Sequence, residues 1–151
     1  MARNDGEAGM TLVVKTVTRL TVGLIFLYGI YIVLNGHLSP GGGFAGGVII
    51  ALSFINLFLA FGAKKTFEII RKDAVTALES VGAVLFLGIA LLGFIDGGFF
   101  SNFLPQGELF SLVSGGAIPL SNIAICIKVG AGIFGMFLAL VAFRGSEREG
   151  K

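Results

Sequence analysis

Long apolar runs broken by short charged or glycine-rich segments set the pattern of this chain. From Leu20 to Ala63 no Asp, Glu, Lys or Arg interrupts 44 residues. As one helix this run would be about 66 Å long, roughly twice the hydrocarbon core of a bilayer. A turn is therefore expected inside it, and Asn35-Gly36-His37-Leu38-Ser39-Pro40-Gly41-Gly42-Gly43 supplies one. The pattern predicts helix one over about 15–36 and helix two over about 43–62. A charged break from Lys64 to Asp73 follows. Helix three is expected over about 76–96, opened by Thr76-Ala77-Leu78-Glu79 read as a capping box, with Thr76 as N-cap and Glu79 at the third position. A polar, glycine-bearing segment from Gly97 to Pro119, with Pro105 and Glu108, leads to helix four over about 121–143, which Arg144 ends. The predicted fold class is an all-α integral membrane protein of four transmembrane helices, with a terminal segment 1–14 before the membrane domain 15–143 and a tail 144–151 after it.

Composition agrees. Hydrophobic residues make up 55% and charged residues 13% of 151, against about 45–50% and 25% in a soluble domain. The mean hydropathy is +0.94. These values exclude a soluble globule, a disordered chain and a nucleic-acid binder. A net charge of +2 is too small to point to a partner, but its distribution is informative. Arg3, Lys15 and Arg19 flank helix one, Lys64, Lys65, Arg71 and Lys72 fill the middle link, and Arg144, Arg148 and Lys151 lie in the tail. The other two links carry no Lys or Arg, so the positive-inside rule places both termini and the middle link in the cytoplasm. The fixed orientation, and the lack of an acid in helix one, argue against a small dual-topology multidrug exporter. Arg3, Asp5 and Glu7, with no A-x-A-like site after the first apolar run, argue against a cleavable signal.

Candidate chemistry is sparse. The single cysteine, Cys126, permits no intrachain disulfide or cysteine cluster, and the single histidine, His37, permits no multi-histidine metal or haem site. No metal or cofactor is expected. Ionisable groups within a membrane are costly, so each is a functional candidate: His37, Glu79, Asp96 and Lys128. Lys128 lies six residues into the expected helix four. It reads either as a relay group with a pKa lowered by desolvation or as a side chain snorkelling to the outer interface. His37 can carry a proton near neutral pH or can cap helix-one carbonyls. Asp96 can pair with Lys128 or His37, or simply mark a helix end, and Glu79 can complete the capping box. If His37, Asp96 and Lys128 converge, they form an outer half-channel. The turn's glycines, with Pro40, need close packing against helix four or a neighbouring subunit, because irregular backbone at membrane depth survives only inside protein or beside a wet cavity. No Gly-Lys-Ser/Thr follows them, so this is no phosphate loop. Gly42-x-x-x-Gly46 and Gly43-x-x-x-Gly47 also fit small-residue helix packing.

The stretch Gly36-His37-Leu38-Ser39-Pro40-Gly41-Gly42-Gly43-Phe44-Ala45-Gly46-Gly47, closing one span and opening the next, resembles the MrpB (MnhB) subunit family of multisubunit Mrp-type Na+/H+ antiporters. The four-span layout and the glycine-rich helix around Lys128-Val129-Gly130-Ala131-Gly132 resemble it too, so the likeness covers roughly 15–143. The resemblance implies a small membrane subunit beside large complex I-like antiporter subunits and other small ones, in a prokaryotic cell membrane. It also implies that the same module recurs in membrane-bound hydrogenases and sulfur-reducing complexes with peripheral redox subunits. By the same resemblance His37 and Lys128 are ion-path candidates, while Pro40, Gly41, Gly42, Gly43, Gly46 and Gly47 shape the backbone around the path.

The leading reading is a subunit of a cation/proton antiporter module, not an enzyme by itself. The alternative is a purely structural subunit with no direct part in conduction. An intramembrane enzyme is disfavoured because no nucleophile–base pair, metal set or paired acids are visible. A self-contained transporter is disfavoured by the lack of an internal repeat.

Overall fold

The computed structural model describes residues 10–38, 40–62, 72–105, 107 and 114–149, and the side chains of these except for Lys72 and 145–149. The described residues form four α-helices: α1 (Leu12–Leu34), α2 (Gly42–Phe61), α3 (Lys72–Leu92) and α4 (Ile118–Glu149). A 3-10 turn, Gly93–Asp96, extends α3. All four helices are long and apolar enough to cross a membrane. Helix is the natural outcome, since a lipid-facing segment must satisfy its own backbone donors and acceptors.

The helices alternate in direction but do not lie side by side in chain order. α1 packs antiparallel on α2, with Gly29 against Gly46, Ile49 and Ile50. α2 packs parallel to α4, where Gly43 meets Asn122, and Gly47 meets Cys126 and Val129. α3 packs antiparallel to α4, with Gly82 against Lys128, Glu79 against Gly132 and Val75 against Gly135. The spatial order is α1, α2, α4, α3, and α2 and α3 meet mainly through α4. In the most apolar 18-residue stretch of each helix, 33% of α2 but only 11% of α1 is buried, so α2 lies inside and α1 at the edge.

Two kinds of contact hold the bundle. At one end Phe58, Val75, Phe134 and Leu138 form a buried cluster joined by Ile55, Ala131, Phe137 and Val141. Phe58 and Phe137 meet edge to face at 5.1 Å, a favourable aromatic geometry. The Arg19 guanidinium lies 5.1 Å from the Phe61 ring centre near this end of α1 and α2. At the other end contact is backbone to backbone through glycine. A methyl group on Gly43 would overlap the Asn122 carbonyl oxygen and stand 2.8 Å from its Cα. A methyl group on Gly47 would stand 2.9 Å from the Cys126 carbonyl oxygen. The expected turn thus packs on α4 of its own chain. Gly41 and Gly42 adopt φ of 112° and 46°, which reverse the chain between α1 and α2. Ser39 of this motif lies outside the described residues.

Two expectations need correction. The capping box at Thr76 and Glu79 is not formed: α3 already runs from Lys72, so Thr76 is inside the helix and its carbonyl accepts the Ser80 hydroxyl at 3.0 Å. The acid at Glu79 is therefore a side chain of the span itself. Arg144 ends the apolar span but not the helix, which continues to Glu149 with polar residues suited to an interface. Most of the middle link (63–71), together with 1–9, Gln106 and 108–113, which include Glu108 of the second long link, falls outside the described residues.

Gly43→Ala is expected to destabilise the bundle by about 1–3 kcal/mol, because the neighbour it meets is backbone and cannot yield. Gly23→Ala and Gly88→Ala, where nothing lies within 4 Å, should stay within about 0.5 kcal/mol of the parent. Reversible unfolding in detergent micelles separates the two cases.

Candidate functional site

Asn122 sits where three helices meet. It lies one turn into α4, with only 8% of its surface exposed. Its Oδ1 accepts the Gly43 N–H at 3.2 Å, one of the backbone donors that a helix start leaves without an intrahelical acceptor. Its Nδ2 would stand 2.6 Å from a methyl on Gly36, at the exit of α1. Asn122 thus ties the α1–α2 turn to α4. The sequence reading weighed only ionisable groups and passed over this residue. The available signal was a polar amide placed in an otherwise apolar span.

Past Asn122, toward the chain's second long link, lies a cavity of about 300 Å³ in which Ser101, Asn102, Ser114 and Ser121 share the lining with Ile89, Phe100 and other apolar residues. Asn102 holds the α4 end of this cavity by accepting the Ala117 N–H at 2.9 Å, an N-cap supplied from a distant loop residue. His37 packs beside Gly115, where an added methyl would stand 3.0 Å from the His37 Cβ and 3.2 Å from the ring carbon Cγ. His37 thus touches Gly115 of the cavity wall without lining the cavity itself. Asp96 is exposed at the end of the 3-10 turn, which Gly97 closes in a left-handed conformation.

Lys128 does not join them. It lies seven residues along α4 from Ser121, about 10 Å further into the span. Its backbone rests on Gly82 of α3, where a methyl would stand 2.6 Å from the Lys128 nitrogen. One turn further along the same seam, the Glu79 carboxylate lies beside Gly132, with Oε1 3.5 Å from where a methyl would be. The structure therefore brings Lys128 together with Glu79, and leaves His37 and Asp96 at the end of the bundle. Both Glu79 and Lys128 are exposed on the flank of the chain, and among the described residues neither forms an ion pair or hydrogen bond. Antiparallel packing explains this: side chains lean toward the N-terminus of their own helix, so these two lean apart.

Their depth matters. Gly132, beside the carboxylate, lies near the centre of the apolar span Ile118–Arg144. Lys128 is about 15 Å of rise from Ile118 and about 24 Å from Arg144. A charged side chain at the centre of a bilayer costs at least about 2.5–3.5 kcal/mol. The seam is distinct from an apolar groove of about 460 Å³ that runs between α2 and α3 over α4, lined by Phe54, Val75, Leu78, Ile127, Ala131 and Phe134 among others. Among the described residues no cluster of three or more His, Cys, Asp or Glu could hold a metal ion.

Four membrane-spanning-type helices, a turn clamped by a buried amide and charges deep on one flank define a multi-pass α-helical membrane protein. Residues 13–135 match the family described as "Domain related to MnhB subunit of Na+/H+ antiporter", and the chain belongs to that family. An uncharacterised protein of Methanocaldococcus jannaschii is 35% identical over 117 residues, which are 73% of this chain and 44% of that protein. A Staphylococcus haemolyticus protein named as antiporter subunit mnhB2 is 37% identical over 98 residues, 65% of this chain and 67% of its own length. A chain in the structure of the membrane-bound sulfane sulfur reductase, an archaeal respiratory membrane complex, superposes with a TM-score of 0.70 at 32% identity. That match covers 87% of this chain and 58% of the other. The chain thus spans about half the length of two of these relatives. The family is the one that the turn motif around His37 resembles.

Asn122→Ala is expected to lower stability by about 1–3 kcal/mol, by leaving the Gly43 N–H without an acceptor in a buried position. A thermal melt of the purified chain in detergent reads this directly.

Proposed function

We propose that this chain is a membrane subunit of a multisubunit Na+/H+ antiporter module, either free-standing or built into a respiratory complex. The observation that carries this reading is the Glu79 carboxylate and Lys128 ammonium, exposed on the flank within the apolar spans and in no ion pair among the described residues. A solitary chain in lipid would bear the full cost of both charges. A subunit covered by neighbours, or by the water of an ion path, would not. The family and the likeness to a respiratory complex chain support the same reading. In the module the basic ends of α1 and α4 face the cytoplasm, following the positive-inside rule. His37 then stands at the opposite end, packed on Gly115 of a cavity lined in part by serine and asparagine side chains. The chain makes and breaks no bonds in this role. Redox chemistry, where the module has any, belongs to other subunits.

A tagged chain extracted in mild detergent is expected to bring antiporter-type membrane subunits with it. Purification as a monomer or homo-oligomer would overturn the reading. His37→Ala is expected to reduce Na+-driven proton flux several-fold in vesicles carrying the whole module, with the co-purifying subunits retained. Unchanged flux with intact assembly would instead mark the chain as a structural subunit.

A further inference from the structure

The two flanks of the α3–α4 pair pose different physical problems. On one flank the groove over α4 is apolar throughout, and lipid tails or an apolar helix fill it equally well. Lys128 and Gly132 lie about 60° to 160° round α4 from the groove's Ile127, Ala131 and Phe134, at about 100° per residue. Lipid cannot solvate this second flank. Glu79 lies six residues, about 9 Å of rise, inside its own apolar span Asp73–Asp96, and its carboxylate lies against Gly132 of α4. Lys128 leans toward the start of α4 but remains about 15 Å of rise short of it, beyond the reach of its four-carbon stem. Among the described residues neither group is in an ion pair.

We propose that the Glu79–Lys128 seam is the docking face for a transmembrane helix of a neighbouring subunit that presents an acidic side chain to Lys128 and a basic one to Glu79. The inference rests on the module reading above and names the chemistry of the partner at that site. Charge complementarity dictates the occupant. Along the seam, Lys128 and Glu79 are offset by about one helical turn, from the level of Gly82 to that of Gly132. Because the side chains lean apart from these levels, the two matching residues on the partner helix are spaced by more than one turn along one helix face. Gly132 leaves the seam shallow between the two charges, so a partner backbone can approach closely there. The order of the charges also fixes the partner's direction: sliding or inverting its helix would set like charges against each other.

The test uses the whole complex, purified through a tag on this chain. The variants are Glu79→Lys, Lys128→Glu and the exchange of both. Each single reversal is expected to lower the yield of the adjoining subunit per tagged chain at least tenfold. The exchange should not restore it, because the partner's charge order is unchanged. Recovery in the exchange would overturn the proposal, since it would show the two residues pairing with each other. Full retention in both single reversals would also overturn it, since the flank would then face water or lipid. If a reversal prevents folding, a photoactivatable aromatic residue at position 136 decides. Met136 continues the 128–132 stripe by four residues and is 68% exposed. A cross-link to another membrane subunit supports the docking face, and adducts with lipid alone sink it. Loss of every neighbour from the parent chain is a separate outcome, and defeats the module reading itself.

Discussion

Backbone-to-backbone contact between α2 and α4 is the constraint on which the rest of this structure depends. In a bilayer, apolar side chains gain little by leaving lipid for one another, so helix association relies on close approach and on hydrogen bonds. Gly43 and Gly47 permit the approach, and Asn122 supplies the hydrogen bond. The left-handed conformations at Gly41 and Gly42 deliver α2 to that position directly after α1. Once α2 is seated, Gly46 remains free to receive α1 on its other side, against Val33 and Gly29. The twin G-x-x-x-G spacings therefore serve two different neighbours from one helix.

The second half of the bundle follows a different rule. α3 also meets α4 through a glycine, Gly82, but the residues beside that contact are an acid and a base. The small residue sets the helices close enough to fix the seam, and the antiparallel directions then hold the two charges apart. Close packing inside the chain and unmet charge on its flank thus arise from the same crossing.

The fold was largely legible in the sequence, because bilayer thickness and charge-free run length leave few alternatives. The 44-residue run with one glycine-rich interruption could only be two helices and a turn. Two features were not legible. The start of α3 was misread because Thr76-x-x-Glu79 fits a capping box, a local pattern that ignores the helix already running from Lys72. Asn122 was missed because its importance depends on Gly43, 79 residues away in sequence, and no local pattern announces so distant a partner. The same limit applies to the charged residues. Their presence at depth could be counted, but the placing of Lys128 on one seam with Glu79, and not beside His37 or Asp96, depends on which face of α4 receives α3.

The spatial order α1, α2, α4, α3 has a consequence for how the protein is made. The ribosome releases α1 and α2 as a hairpin that can close on its own glycines, and then α3, which has little to hold it against that hairpin. The helix that both are waiting for is synthesised after them. Until α4 enters the membrane, α3 is a lone span and the amide that locks the first turn does not yet exist. Consolidation is therefore a late event in biogenesis. A chain interrupted before residue 118 would leave the insertion machinery with two fragments and nothing to join them.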